Sequence, residues 1–234
     1  MTPSQLIYVT DPLCLWCYGM APALDSFYNN LPDELNCITI NGGLFPDSRA
    51  RVTDIEFREY LKNAAQHVTA KTGQVFSKSF WSLLETQGFR YDTEPSARAS
   101  VVVKSLTDET HMRQFIHALQ RAVFIDGINP NITDNLSSIA EQSGIEKGSF
   151  IASFNDPTSL EATHNEYALA NKMGVQGFPA LIYQHQKRAY SLAAGYAPLE
   201  ELQTALNWAR SESNQPTVIS KKNTNVCNSQ GCSI

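Results

Sequence analysis

The sequence contains few charged residues, and these are scattered along the chain. Asp, Glu, Lys and Arg make up 18% of the 234 residues, with 18 basic against 23 acidic side chains. It contains no run of Lys and Arg of the kind that neutralises a phosphate backbone, and no glycine-rich phosphate-binding motif. We therefore expect no nucleic-acid partner.

Long apolar segments are missing as well. The longest candidate is broken by Lys104 and Asp108, well short of the roughly 20 residues that span a bilayer. The first residues, MTPSQLIYVTDP, have neither the basic region nor the cleavage site of a secretory signal. We expect no membrane partner and a cytoplasmic location, where five cysteines act as metal ligands, redox catalysts or packed thiols more often than as permanent disulfides.

The five histidines do not form a ligand set. His111 and His117 are six positions apart, which is off a common helical face, and HNE at 164–166 lacks the H-E-x-x-H spacing. We predict no bound metal, with one alternative left open. The C-x2-C and C-x4-C pairs together supply four thiolates, a set that zinc accepts.

The first 43 residues predict a βαβ unit. LIYVT at 6–10 is β-branched and aromatic, residues 17–35 place an apolar stripe on one helical side, and NCITING at 36–42 alternates before two glycines. From Val52 to about Gly148 the pattern changes to successive helices without a strand pattern, which is too long for a loop and indicates an inserted helical block.

The rest of the chain completes an α/β order. A helix is predicted from Thr158 to Met173, strands at 180–184 and 189–195, and a closing helix at 198–212. Capping boxes, Thr53–Glu56 and Thr158–Glu161, are expected to open the helix that follows Val52 and the one after the helical block.

Cys14 and Cys17 lie at the predicted junction of the first strand and helix. The N–H groups and positive partial charge of a helix start lower a thiol pKa from about 8.5. We expect Cys14 to be exposed at that end and Cys17 to lie one turn in, where it can resolve a mixed disulfide. Redox exchange is favoured over a packed structural pair or a zinc site.

A second segment, GVQGFPALIY, places Pro179 directly before a strand and after Gly-Phe. A proline that begins a β run at this position is explained by a cis bond between Phe178 and Pro179.

The segments DPLCLWCYG and GVQGFPA resemble the DsbA family of thioredoxin-fold proteins, over residues 5 to 210, and the terminal VCNSQGCSI resembles its FrnE-like branch. The resemblance implies an α/β thioredoxin fold with an inserted all-helical subdomain. Residues 1–50 and 150–212 would form the thioredoxin-like domain and 51–149 the insert, and we predict a flexible tail at 213–234.

By the same resemblance Cys14 is the nucleophile, Cys17 the resolving thiol, and Pro179 the cis-proline beside them. The second cysteine pair, Cys227 and Cys232, is expected to act as an auxiliary redox pair that exchanges with the first.

Trp16 and Phe178 are expected to form an apolar rim that receives unfolded substrate segments, with ordinary packing as the alternative. Trp16 stands where DsbA has a histidine, and Tyr8 where thioredoxin and DsbA have a carboxylate. Because Trp16 cannot supply the positive charge of a histidine, the Cys14 pKa is expected nearer thioredoxin's value of about 7 than DsbA's of about 3.5. Asp11 is the nearer carboxylate, but its spacing alone gives it no role.

The function expected is that of a thiol–disulfide oxidoreductase, with disulfide isomerase activity as a further expectation. It would act on protein thiols and disulfides with a thiol reductant or oxidant as partner and without an organic cofactor. Two alternatives remain: a glutathione-using transferase or isomerase on the same fold, against which the presence of Cys17 argues, and a zinc-binding module.

Overall fold

The computed structural model describes residues 4–32 and 34–213, and the backbone of two short strands near the C-terminus. A 3₁₀ turn lies at Asp47–Arg49. The helices and strands are, in chain order, β1 (Gln5–Thr10), α1 (Leu15–Tyr28), β2 (Asn36–Asn41), β3 (Arg51–Val52), α2 (Ile55–Thr72), α3 (Lys78–Glu85), β4 (Arg90–Tyr91), α4 (Glu94–Leu106), α5 (Glu109–Phe124), α6 (Thr133–Glu141), α7 (Lys147–Asn155), α8 (Pro157–Lys172), β5 (Ala180–His185), β6 (Arg188–Ala194), α9 (Leu199–Glu212), β7 (Cys227–Asn228) and β8 (Gly231–Cys232).

A four-stranded mixed sheet in the order β2-β1-β5-β6 forms the centre of the molecule. β1 runs parallel to β2 and antiparallel to β5, and β5 and β6 form an antiparallel hairpin. This order follows from a βαβ unit, a helical insertion and an αββα unit, so the predicted α/β thioredoxin fold with a helical insertion is confirmed.

The two faces of β1 separate two apolar clusters. Leu6 and Tyr8 point into a cluster with the inner side of α9, whereas Ile7 and Val9 point into a larger cluster shared with the helical segment. This division follows from the alternation of side chains along a strand. The larger cluster also contains both cysteines of the first pair, so the helical segment packs on the side of the sheet where those cysteines lie.

Local details differ from the sequence expectations. α2 begins after Asp54, whose carboxylate accepts from Phe57 N at 2.8 Å, and Thr53 instead donates to a backbone carbonyl. α8 begins after Asp156 in the same way, so both predicted capping boxes are wrong. The reason is that Asp caps as well as Thr does, and here Asp is the last extended residue before each helix.

The helical segment also contains a pairing that its sequence does not indicate. β3 and β4 are two residues each and pair antiparallel, with Arg51 opposite Tyr91. Two residues are too few to produce the alternation by which a strand is recognised. α1, in turn, starts before Cys17 and ends at Tyr28, earlier at both ends than the predicted segment 17–35.

Side chains from three helices cover the outer edge of β2. The N–H groups of Thr39 and Asn41 donate to carboxylate oxygens of Glu109 at 2.9 Å and Glu166 at 2.8 Å. Lys104 donates to the carbonyl oxygen of Thr39 at 3.1 Å and forms ion pairs with both glutamates. These contacts tie α4, α5 and α8 to the sheet.

The domain limits at 51 and 149 stay predictions. The predicted flexible tail at 213–234 lies almost wholly outside the described residues. Its backbone is described at β7 and β8, which pair antiparallel with Cys227 opposite Cys232. Among the helices of the described part, none has both the length and the apolar character required to cross a bilayer.

Candidate active site

Cys14 and Cys17 lie at the start of α1, at the strand-to-helix junction where the sequence places them. Cys14 is the N-cap residue of the helix, and its sulfur accepts a hydrogen bond from the N–H of Cys17 at 3.2 Å. Both cysteines are free thiols. The N–H of Cys17 is one of the unpaired donors of a helix start, so it is aimed at the atom that carries the charge of a thiolate.

The prediction that Cys14 stands exposed is wrong. Its side chain is 0% exposed and that of Cys17 is 1% exposed. Burial raises the pKa of the Cys14 thiol well above its usual range, with smaller contributions from the Cys17 side chain and from the charge of Asp11, whereas the hydrogen bond from the Cys17 N–H opposes the rise. The expectation of a pKa near 7 rested on Trp16 in place of a histidine and took no account of burial, which disfavours the thiolate by removing water around it.

The segment that precedes β5 meets the dithiol from the other side. The peptide bond between Phe178 and Pro179 is cis, the form that the sequence suggests. The Cys14 thiol donates to the carbonyl oxygen of Phe178 at 3.7 Å. The carbonyl oxygen of Pro179 in turn accepts from Gly195 N at 2.8 Å, which anchors this loop to the end of β6. The structure thus brings Cys14 and the Phe178–Pro179 segment together.

The expected rim of Trp16 and Phe178 is not an exposed surface. The two side chains are 2% and 5% exposed. The ring of Trp16 packs at 5.9 Å from that of Tyr196, and its indole N–H has no hydrogen-bond partner among the described residues. Phe178 packs against the backbone of Gly42. Apolar side chains at a junction of strand, helix and insert are covered on several sides, which a linear pattern does not show.

Asp11 is a residue of this site to which the sequence assigns no role. Its carboxylate is fully buried and accepts from Leu13 N at 3.0 Å and from Leu44 N at 2.7 Å. Burial raises the pKa of the Asp11 carboxyl to about 6, and the two backbone hydrogen bonds oppose the rise. An Asp that follows a strand and binds the N–H two residues on is typical of turns, which is the signal available in the sequence.

Two tyrosines of the helical segment lie near the dithiol. Tyr91, in β4, donates to the carbonyl oxygen of Leu13 at 2.6 Å, and so holds the residue before Cys14. Tyr60, in α2, packs against the apolar cluster that contains Cys14. Burial raises the pKa of both phenols, and the charge of a Cys14 thiolate adds to the effect. The helical segment therefore contributes directly to the surroundings of Cys14 and Cys17.

The residues that the structure describes do not form a metal site. Within residues 4–32 and 34–213, no three His, Cys, Asp or Glu side chains are placed to hold a metal ion. The zinc alternative requires Cys227 and Cys232, whose side chains lie outside the described part of the chain. An open cleft lined by Arg58, Phe89 and Arg90 lies on the helical segment, and neither the cysteine motif nor the cis-proline loop contributes to it.

Comparison with known proteins agrees with this geometry. The model of the DSBA-like thioredoxin domain family matches residues 5–207. A candidate protein disulfide isomerase from Nitrosomonas europaea is 27% identical with a TM-score of 0.80, covering 90% of this chain and 98% of that one. The cytosolic disulfide reductase DsbM from Pseudomonas aeruginosa is 23% identical with a TM-score of 0.72, covering 88% and 99%.

DsbM has also been solved with GSH, and that structure matches at 23% identity with a TM-score of 0.68, covering 90% of this chain and 98% of that one. A comparison with curated proteins gave no match. At this level of identity DsbM shows the shared fold.

Proposed function

Because the chain belongs to the DSBA-like thioredoxin domain family, we propose that it is a thiol–disulfide oxidoreductase whose reacting sulfurs are those of Cys14 and Cys17. One observation carries the proposal. The Cys14 sulfur lies between a helix-start N–H, at 3.2 Å, and the main chain of Phe178, at 3.7 Å. The first contact stabilises a thiolate, and the second lies where an extended substrate segment would run.

The reaction follows from this placement. The Cys14 thiolate attacks one sulfur of a substrate disulfide, the substrate S–S bond breaks, and the departing sulfur leaves as a thiolate that takes up a proton. Cys17 then attacks the Cys14 sulfur, which releases the second substrate thiol and leaves a Cys14–Cys17 disulfide. A thiol reductant restores the dithiol. The same steps in reverse would oxidise a substrate dithiol.

The direction of electron flow and the identity of the redox partner are further parts of the proposal. A cytosolic reductase among the structural neighbours, and its complex with GSH, favour disulfide reduction in the cytoplasm with glutathione as the reductant. The Nitrosomonas europaea neighbour supports isomerase activity on protein disulfides as the second candidate. Glutathione would here be the electron donor to the Cys14–Cys17 disulfide, so both cysteines are required.

The auxiliary role of the tail pair is also a proposal, and it corresponds to membership of the FrnE-like branch. Its support is the backbone register, which sets Cys227 opposite Cys232 in a short antiparallel pair. The pair would pass electrons to the Cys14–Cys17 disulfide by exchange.

Insulin reduction by a dithiol or by glutathione tests the main proposal. We expect Cys14→Ser to abolish turnover and Cys17→Ser to accumulate mixed disulfides, because the Cys14 sulfur is the one that binds the Phe178 carbonyl oxygen, at 3.7 Å. Cys37→Ser is the matched control, since Cys37 lies in β2 and donates to the carbonyl oxygen of Leu35 at 3.6 Å. Undiminished turnover in Cys14→Ser would overturn the assignment.

The tail proposal has its own test. In a Cys17→Ser, Cys232→Ser double variant, mild oxidation should trap a Cys14–Cys227 disulfide within single chains, detected by mass spectrometry of digested monomer. A crosslink found between chains only, or none, would remove the auxiliary role and leave the main proposal intact.

A further inference from the structure

The Asp11 carboxylate joins two segments of the chain that both reach the dithiol. One oxygen binds the N–H of Leu13, in the loop before Cys14, and the other binds the N–H of Leu44, in the loop after β2. We propose that Asp11 is a positioning residue of the dithiol reaction, which fixes the Cys14 segment to the loop after β2 and whose negative charge favours the protonated thiol at Cys14. The role rests on the proposed function, in which Cys14 attacks.

The first half of the proposal is geometric. The loop that Asp11 holds through Leu44 also contains Gly42, and the ring of Phe178 packs directly on Gly42. The carbonyl oxygen of Phe178 is the acceptor that lies 3.7 Å from the Cys14 sulfur. The Asp11 carboxylate therefore helps to fix the distance between the two sides of the site, because each of its oxygens binds one side.

The second half concerns charge. Cys14 and Asp11 are joined at the backbone as well, since the N–H of Cys14 donates to the carbonyl oxygen of Asp11 at 3.0 Å. The side chains of both residues are 0% exposed. The charge of Asp11 raises the pKa of the Cys14 thiol, and water screens this repulsion little in so dry an environment, so an ionised Asp11 disfavours the Cys14 thiolate.

The groups that face Asp11 come from four elements. They are the Arg49 guanidinium in the 3₁₀ turn, the Tyr91 phenol in β4, the Tyr167 phenol in α8 and the Cys14 thiol at the start of α1. Burial keeps the pKa of both phenols and of the Cys14 thiol well above their usual range. Between pH 5 and 7 the charge that changes within this group is therefore that of Asp11.

The test measures iodoacetamide alkylation of Cys14 against pH, followed peptide by peptide in the reduced full-length chain. In the wild type we expect the rate to rise less than tenfold per pH unit around pH 6, because ionisation of Asp11 suppresses the thiolate that rising pH creates. In Asp11→Asn this shallow pH dependence should vanish. The alkylation rate at pH 7.5 should rise by roughly threefold to tenfold, which corresponds to a fall of half to one unit in the Cys14 pKa.

Two control variants separate charge from loosening. Asp92→Asn alters a carboxylate that also binds two backbone N–H groups, those of Asp47 at 3.2 Å and Glu94 at 3.0 Å. Tyr91→Phe removes the 2.6 Å hydrogen bond to the Leu13 carbonyl oxygen and leaves every charge in place. Both variants should keep the shallow pH dependence of the Cys14 alkylation rate near pH 6. Its loss in either control, or its persistence in Asp11→Asn, would overturn the proposal.

A measurement on the wild type covers the case in which Asp11→Asn does not fold. The backbone amide resonances of Leu13 and Leu44 should shift together with a common midpoint near pH 6, because they bind the two oxygens of one carboxylate. Independent or absent titration of the two amides would overturn the proposal. Neither experiment involves turnover, so an enzyme inactive on insulin would count against the proposed function and not against this role.

Discussion

The ring of Phe178 occupies the space into which a side chain at Gly42 would project. Gly42 follows β2 directly, and its N–H donates to the carbonyl oxygen of Thr10 at 2.7 Å, so its backbone is held in place. The close approach of these two residues positions the Phe178 carbonyl beside Cys14. A methyl group at residue 42 must displace the aromatic ring.

Gly42→Ala is therefore expected to lower the free energy of unfolding by about 1–3 kcal/mol, as overpacking of a filled site does. It should also reduce insulin reduction, since the ring and its carbonyl move together. Gly148→Ala is the matched control, because its added methyl meets only the flexible end of Glu146, at 3.0 Å. Denaturant unfolding of the two variants checks this, and equal losses would contradict it.

The acidity of Cys14 should reflect its burial. Because loss of water raises the pKa of this thiol, we expect its alkylation midpoint to lie above about 8.5, the value of an ordinary cysteine. The pH dependence of iodoacetamide labelling in Cys17→Ser measures it without interference from the second thiol. A midpoint at or below about 7 would show that the helix start dominates over burial.

Asp11 should make the stability of the protein depend on pH in a predictable direction. Its folded pKa is about 6 against a usual value of 3.8, so between these values the folded state holds a proton that the unfolded state has lost. The stabilisation is complete below about pH 4 and is lost as pH rises through 6. The stability of the wild type relative to Asp11→Asn should fall by about 2 kcal/mol from pH 4 to pH 7. Parallel stability curves would contradict this.

Lys104 should contribute more to the free energy of unfolding than a surface lysine does. It is 30% exposed and pairs with Glu109 and Glu166, whose side chains are 23% and 13% exposed. Lys104→Ala leaves these carboxylates with one cation fewer in a half-buried setting, and we expect a loss of about 2 kcal/mol in the free energy of unfolding. Lys62→Ala breaks an exposed pair with Glu59 and should cost under about 0.5 kcal/mol. Urea unfolding of the two variants measures both losses.

The sequence predicts the parts of the site that are local. The junction of β1 and α1, the cysteine spacing and the form of the Phe178–Pro179 bond each depend on a few neighbouring residues. The burial of Cys14 could not be predicted in this way, because the side chains around it come from the distant helical segment. The same holds for Asp11, whose second partner, Leu44, lies 33 positions further along the chain.

The glutamate-covered edge of β2 has a consequence for the behaviour of concentrated solutions. An open strand edge is a template on which a second molecule can add its own strand, and this is a common first step towards fibrils. On β2 the N–H groups of Thr39 and Asn41 already bind Glu109 and Glu166. An incoming strand would have to expel two carboxylates to gain two main-chain hydrogen bonds, so sheet-to-sheet aggregation along this side is unfavourable.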